Sequence, residues 1–270
     1  MTEMRPTAVA GHFYPAEPEA LRGLVMRLLA EADRRRPPGP VDRPKVMIVP
    51  HAGFAYSGPV AATAYARLRA SLTPGGPPVE RVVLLGPAHR VYCRGLADAG
   101  VDFFESPLGA VPIDRAALAD LPGRSDGHRA HGPEHSLEVQ LPFLQVVLPD
   151  ALLVPLLVVE SRPDVVVRGL EHLWGGPETL VLVSTDLSHF LTAAEAERVD
   201  ADTARHLVGL GPPTLIGDQA CGAAALNGLL AYLPSHQPDA RLECLDLRHS
   251  GQTAGGRGEV VGYGAFQVLA

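Results

Sequence analysis

Residues 45–58 read KVMIVPHAGFAYSG. Val46-Met47-Ile48-Val49 is a short unbroken apolar run, the pattern of a strand covered on both faces. Pro50 ends it and His51 follows at once, with Gly53 and Gly58 leaving room for close backbone approach and Tyr56 and Ser57 supplying hydroxyls. Outward from this stretch the same plan recurs twice. ERVVLLGPAHR (80–90) breaks at Gly86-Pro87 and presents His89, and TLVLVSTDLSHF (179–190) breaks at Ser184 and presents Asp186 and His189. Open parallel α/β sheets bind ligands beyond the carboxyl ends of their strands. Three strand ends carrying imidazole or carboxylate therefore point to one shared site.

The rest of the chain alternates between the two periods. Strands are expected over 45–50, 80–86, 151–159, 179–184, 241–247 and 258–268, with short ones near 95–104. Pro18 opens a helix on which Leu21, Leu24, Val25, Leu28 and Leu29 share one face. Further helices are expected over 59–71, 114–121, 136–148, 162–174, 193–208 and 218–233, with Pro142 kinking the fourth of these seven or delaying its start. Pro/Gly stretches at 37–44 and 73–79 punctuate the elements. This alternation predicts one α/β domain, residues 1–270, whose mostly parallel sheet carries helices on both faces.

Composition narrows the function classes. The 270 residues are 46% hydrophobic and 20% charged, ordinary for a soluble globular protein. The longest apolar stretch, 151–159, is too short to span a bilayer, and MTEMRPTAVAGHFYP lacks the apolar core of a secretory signal, so a cytoplasmic location is expected. A net charge of −7 shows no basic footprint for nucleic acid; the run Arg34-Arg35-Arg36 suits the dipole at the end of a helix. Cys93, Cys221 and Cys244 form neither a CxxC motif nor an even disulfide set, as in a reducing compartment. No nucleotide cofactor is evident.

His51 and His89, each at a strand end, make a plausible pair of metal ligands. In GDQACGAAALNGLLAYL, Asp218 reads as an N-cap that places Cys221 in the first helical turn, where the dipole favours the thiolate; the alternative is a small buried hydrophobe. Asp186 and His189 stand three apart, so that a turn lets the carboxylate orient the imidazole as a general base; the alternative is a capping Asp beside a loop His. The loop around His128, His131 and His135 is polar and Gly-rich. His128 and His131 are expected in solvent, while Glu134 and His135, with Tyr56 and Thr185, are expected to help form the pocket wall.

Taken in order, AGHFYPAEPEAL (10–21), PHAGFAYSG (50–58), LGPAH (85–89), EHSLEVQLPFL (134–144), STDLSHF (184–190) and ACGAAAL (220–226) resemble the MEMO family, known in prokaryotes as AmmeMemoRadiSam system protein B. That family is similar in fold to the class III extradiol dioxygenases of the LigB type. The resemblance implies a metal set of His51, His89 and Cys221, with iron or copper, or zinc, as the ion. It also implies that His189, with Asp186 nearby, holds the acid/base position. A non-haem metal-dependent oxidoreductase follows as one expectation, acting with an AMMECR1-like protein and a radical SAM protein. A scaffold protein binding a peptide or small molecule in the same pocket is another. A third is a thiol hydrolase built on Cys221, His189 and Asp186. A thiolate in place of a carboxylate ligand shifts preference toward softer ions, so the fold does not by itself license ring cleavage.

Overall fold

The computed structural model describes residues 2–35, 41–73, 75–159, 162–256 and 258–270. Arg36, residues 37–40 of the 37–44 stretch and Pro74 lie outside them. In chain order the strands are β1 (Met4–Arg5), β2 (Val46–Val49), β3 (Arg81–Gly86), β4 (Gly95–Asp98), β5 (Phe103–Ser106), β6 (Gly109–Pro112), β7 (Arg124–Asp126), β8 (Leu152–Val159), β9 (Thr179–Ser184), β10 (His189–Leu191), β11 (Arg241–His249) and β12 (Val260–Leu269). The large sheet runs β10-β12-β2-β9-β3-β8-β4-β7, with β11 also paired to β12, and a small one runs β1-β5-β6.

The apolar runs of the sequence become the parallel centre. β2, β9, β3 and β8 lie side by side and all run the same way. Every residue of β2 and β9 is buried, which is why these runs lack alternation. At both edges the sheet turns antiparallel: β12 joins β2, and β4 joins β8. β11 pairs with β12 along its whole length, an arrangement that needs no crossover helix. The result is a mixed sheet around a parallel core.

Helices pack in two sets. Pro18–Arg35, Gly58–Ser71 and Leu141–Val147 contact one another, while Pro163–Leu173 packs on Ala223–His236. Small residues set the spacing: a Cβ at Gly228 would stand 2.2 Å from Val166, so only glycine lets that second pair approach. Tyr65 and Phe143 stack with centroids 4.7 Å apart at an interplanar angle of 4°, and Phe54 leans on Phe143. The apolar core is one connected cluster reaching from Tyr14 to Val268.

One open alternative is decided and two local expectations change. Pro142 delays the helix: a 3₁₀ turn at Glu138–Gln140 precedes Leu141–Val147, putting proline in the first turn, where its missing N–H costs nothing. The expected helix over 218–233 begins only at Ala223, with Gly222 before it, so Cys221 precedes the helix. The polar loop holds β7 and a short helix, His128–His131, and His131 is buried at 2% exposure, its Nε2 2.8 Å from the Ala97 carbonyl.

Candidate metal centre

The ends of β2, β3 and β9 are level. Val49 pairs with Ser184 and Leu85 with Val183, and the Thr185 N–H donates to the Val49 carbonyl at 2.8 Å. That register brings His51, His89 and Asp186 to one end of the sheet. The turn before Leu141–Val147 adds His135. The donor atoms of His51, His89 and His135 all lie within 4.8 Å of one another. Their ring centroids are 4.8 to 5.5 Å apart.

Hydrogen bonds decide which ring nitrogens face inward. The Ser184 hydroxyl donates to the Ser136 carbonyl at 2.6 Å and accepts from Gln140 Nε2 at 2.8 Å. What remains to it is a lone pair, so His51 Nδ1, 2.9 Å away, is the donor. His51 Nε2 is then unprotonated and sits 3.4 Å from Cys221 Sγ. His89 repeats the logic: its Nδ1 donates to Glu134 Oε1 at 3.0 Å, freeing Nε2. Metal-binding histidines carry this kind of outer partner. His135 differs. Its Nδ1 lies 3.2 Å from Glu134 Oε1 yet makes no hydrogen bond among the described residues.

The electrostatics favour neutral rings at His51 and His135 near an ionised carboxylate. Burial, then the neighbouring His89 and His135, pushes His51 well below the usual imidazole range. Burial likewise lowers His135 to about 4 against the opposing pull of Glu134. Burial alone would raise Glu134. The His89 side-chain and backbone hydrogen bonds, with the Ser136 N–H, outweigh it and hold the carboxyl far below its usual range. Unprotonated rings at His51 and His135 can take up a metal ion without first losing a proton.

Cys221 is next to this cluster without being one of the three mutually close donors. Its thiol receives the Asp186 N–H at 3.3 Å and lies 3.7 Å from Thr185 Oγ1. Burial, then the charge of Asp186, raises it to about 12. Of the two readings the sequence left open for Cys221, the dipole-activated thiolate is the one disfavoured, because the helix starts two residues later and the thiol is desolvated. A cation beside it would reverse that balance.

Asp186 does not orient His189. Its Oδ1 accepts the His51 N–H at 2.7 Å, and the Ala52 N–H supports it too. Burial nonetheless raises this carboxyl to about 7. His189 starts β10, half-buried, with the Leu187 carbonyl beside its ring; burial, then the charge of His89, lowers it. Thr185 is buried and accepts the Gly222 N–H at 2.8 Å, whereas Tyr56 is exposed. Residues missed from the sequence are Ser184 and Gln140, which orient His51. A signal did exist: Glu138 and Gln140 are polar interruptions in an otherwise apolar segment.

A family model described as Memo-like protein matches residues 5–267. Similar chains include a MEMO1 family protein of Ignicoccus hospitalis, 33% identical over 98% of both chains, and one of Methanopyrus kandleri, 32% identical over 97% of this chain and 98% of the other. A MEMO1 family protein of Aquifex aeolicus is 34% identical over 73% of this chain and 72% of its own. The chain belongs to the Memo-like protein family.

Proposed function

We propose that this protein is a metal-dependent oxidoreductase whose ion is held by His51, His89 and His135, with Cys221 as an additional thiolate donor. The observation that carries it is the convergence of three imidazole donors within 4.8 Å. Two of them are already turned inward by hydrogen bonds at Nδ1. Imidazole nitrogen with one adjacent thiol suits iron or copper, and also zinc. When bound, such an ion supplies Lewis acidity and, for iron or copper, electron exchange. The chain itself contributes His189, whose burial favours the neutral ring that can accept a proton, and Asp186, which fixes the His51 backbone. A cytoplasmic setting and partnership with an AMMECR1-like protein and a radical SAM protein belong to the same proposal and rest on the family resemblance.

The test is elemental analysis of tag-free protein purified without oxygen, beside His135→Ala and Cys221→Ser. Near-stoichiometric metal in the parent, lost or reduced in both variants, is the expected result. Folded parent protein that takes up no metal would defeat the reading.

A second reading has its own support. A cavity of 620 Å³ is lined by His189, Phe190, Leu191, Arg198, Asp202 and Gln219 among others. Phe190 is 70% exposed with a φ of 56°, a strained conformation for a bulky residue and one associated with binding sites. A non-catalytic role holding a peptide or small molecule there would survive loss of the metal ligands. The thiol-hydrolase reading has no such support, since the Cys221 thiol faces His51 and is raised.

A further inference from the structure

His135 is the least self-sufficient of the three imidazoles. Hydrogen bonds at Nδ1 orient His51 and His89, but His135 Nδ1 has none among the described residues, so its position must come from its backbone and from packing. Both lead to the N-terminal arm. β1 places Arg5 beside Phe104, and the guanidinium, with 3% of its side chain exposed, reaches over the turn that carries His135. Arg5 Nε donates to the His131 carbonyl at 2.8 Å, and Nη2 donates to the Glu134 carbonyl and, at 3.5 Å, to that of Gly132. Nη1 donates to Glu138 Oε2 at 2.5 Å. His135 thus lies between two acceptors, the Glu134 carbonyl and the Glu138 carboxylate, pinned by one planar fork.

Glu138 returns the grip. Its carboxylate accepts the Ala8 N–H at 2.7 Å, the Val9 N–H at 3.0 Å and the Tyr14 hydroxyl at 2.5 Å. The arm then presents the Phe13 ring to His135 edge-on, 4.9 Å between centroids. The Phe13 carbonyl accepts the Phe54 N–H at 2.7 Å, tying the arm to the loop after His51. A buried ion pair gives little net stability after desolvation, so its worth here lies in geometry. Lysine could not reproduce it, because an ammonium lacks the planar fork that reaches several fixed acceptors.

We propose that Arg5 and Phe13 are positioning residues of the metal centre, setting where His135 stands relative to His51 and His89. The inference rests on the metal reading above. The test is Co(II) titration of the full chain and of Arg5→Lys, Phe13→Leu and His135→Ala, read as affinity and as the visible ligand-field spectrum, with circular dichroism for folding. Arg5→Lys and Phe13→Leu are expected to weaken Co(II) binding by about 10- to 100-fold. They should also shift the spectrum toward that of His135→Ala, and either one should add little in the His135→Ala background. Should Arg5→Lys not fold, Phe13→Leu, which leaves the ion pair intact, decides alone. Parent-like affinity and spectrum in the folded variants overturn the inference and leave the metal reading standing. A parent that takes up no Co(II), or a His135→Ala protein indistinguishable from it, overturns the metal reading and this inference with it.

Discussion

Ser184 Oγ stands 2.9 Å from His51 Nδ1 and thereby selects the nitrogen that the ring turns toward Cys221. Ser184→Ala removes that selection without touching a donor. It also leaves the Ser136 carbonyl short of one hydrogen bond, costing about 1–2 kcal/mol. The expected outcome is metal affinity lower by about 10- to 100-fold in a protein that still folds. Isothermal titration checks it; unchanged affinity would remove Ser184 from the site.

Glu134 holds the His89 imidazole and three backbone N–H groups at once, with His135 Nδ1 3.2 Å away. Glu134→Gln keeps the shape but turns an amide NH₂ toward donors. The variant should lose about 2 kcal/mol or more of stability and bind metal more weakly than Ser184→Ala. Denaturant unfolding and metal titration on the same samples measure both, and a variant as stable as the parent would contradict the ionised, fully engaged carboxylate.

The buried histidines give the metal-free protein an acid-sensitive fold. Burial lowers His131 to about 4, below its ordinary 6.5. Above pH 6.5 neither state binds the proton. Between 6.5 and 4 the unfolded chain binds it and the native one does not, so stability falls as the pH drops, by about 3 kcal/mol for this residue. His51 and His135 act in the same direction. His131→Gln should flatten the dependence of unfolding free energy on pH in this window, and an unaltered slope would reject the assignment.

Thiol reactivity should follow burial. Cys244 is exposed, and the Cys221 thiol is raised to about 12. At pH 8 in chelator, iodoacetamide should label Cys244 faster than Cys221 by roughly 30-fold or more, the lower thiolate fraction being partly offset by its greater nucleophilicity. Peptide mapping by mass spectrometry reads the order. Preferential labelling of Cys221 would restore an activated nucleophile.

What could be read from the chain depended on the range of the interaction. Val46–Val49, Arg81–Gly86 and Thr179–Ser184 are visible as apolar runs because both faces are covered, and the breaks after them locate His51, His89 and Asp186. Strand direction at the edges was not legible: β4 and β12 read as strands, but nothing local says which way they run. His135 carried the right residue type in a segment with no periodicity. Its placement depends on Arg5, far away in sequence, and composition made its neighbour His131 look solvated although Ala97 and Phe104 cover it. Cys221 differs again, because Asp218 looks like a cap while the helix begins only at Ala223.

The level ends of β2, β3 and β9 also make the donor cluster a ruler for folding. A parallel slip that keeps each side chain on its own face moves a strand by two residues, about 6.6 Å. No imidazole could span that error. A collapsed intermediate with formed helices and misregistered strands would therefore bind no metal, and the ion would recognise only the finished sheet. Its stabilisation should then appear as slower unfolding, with little effect on the rate at which the chain first folds.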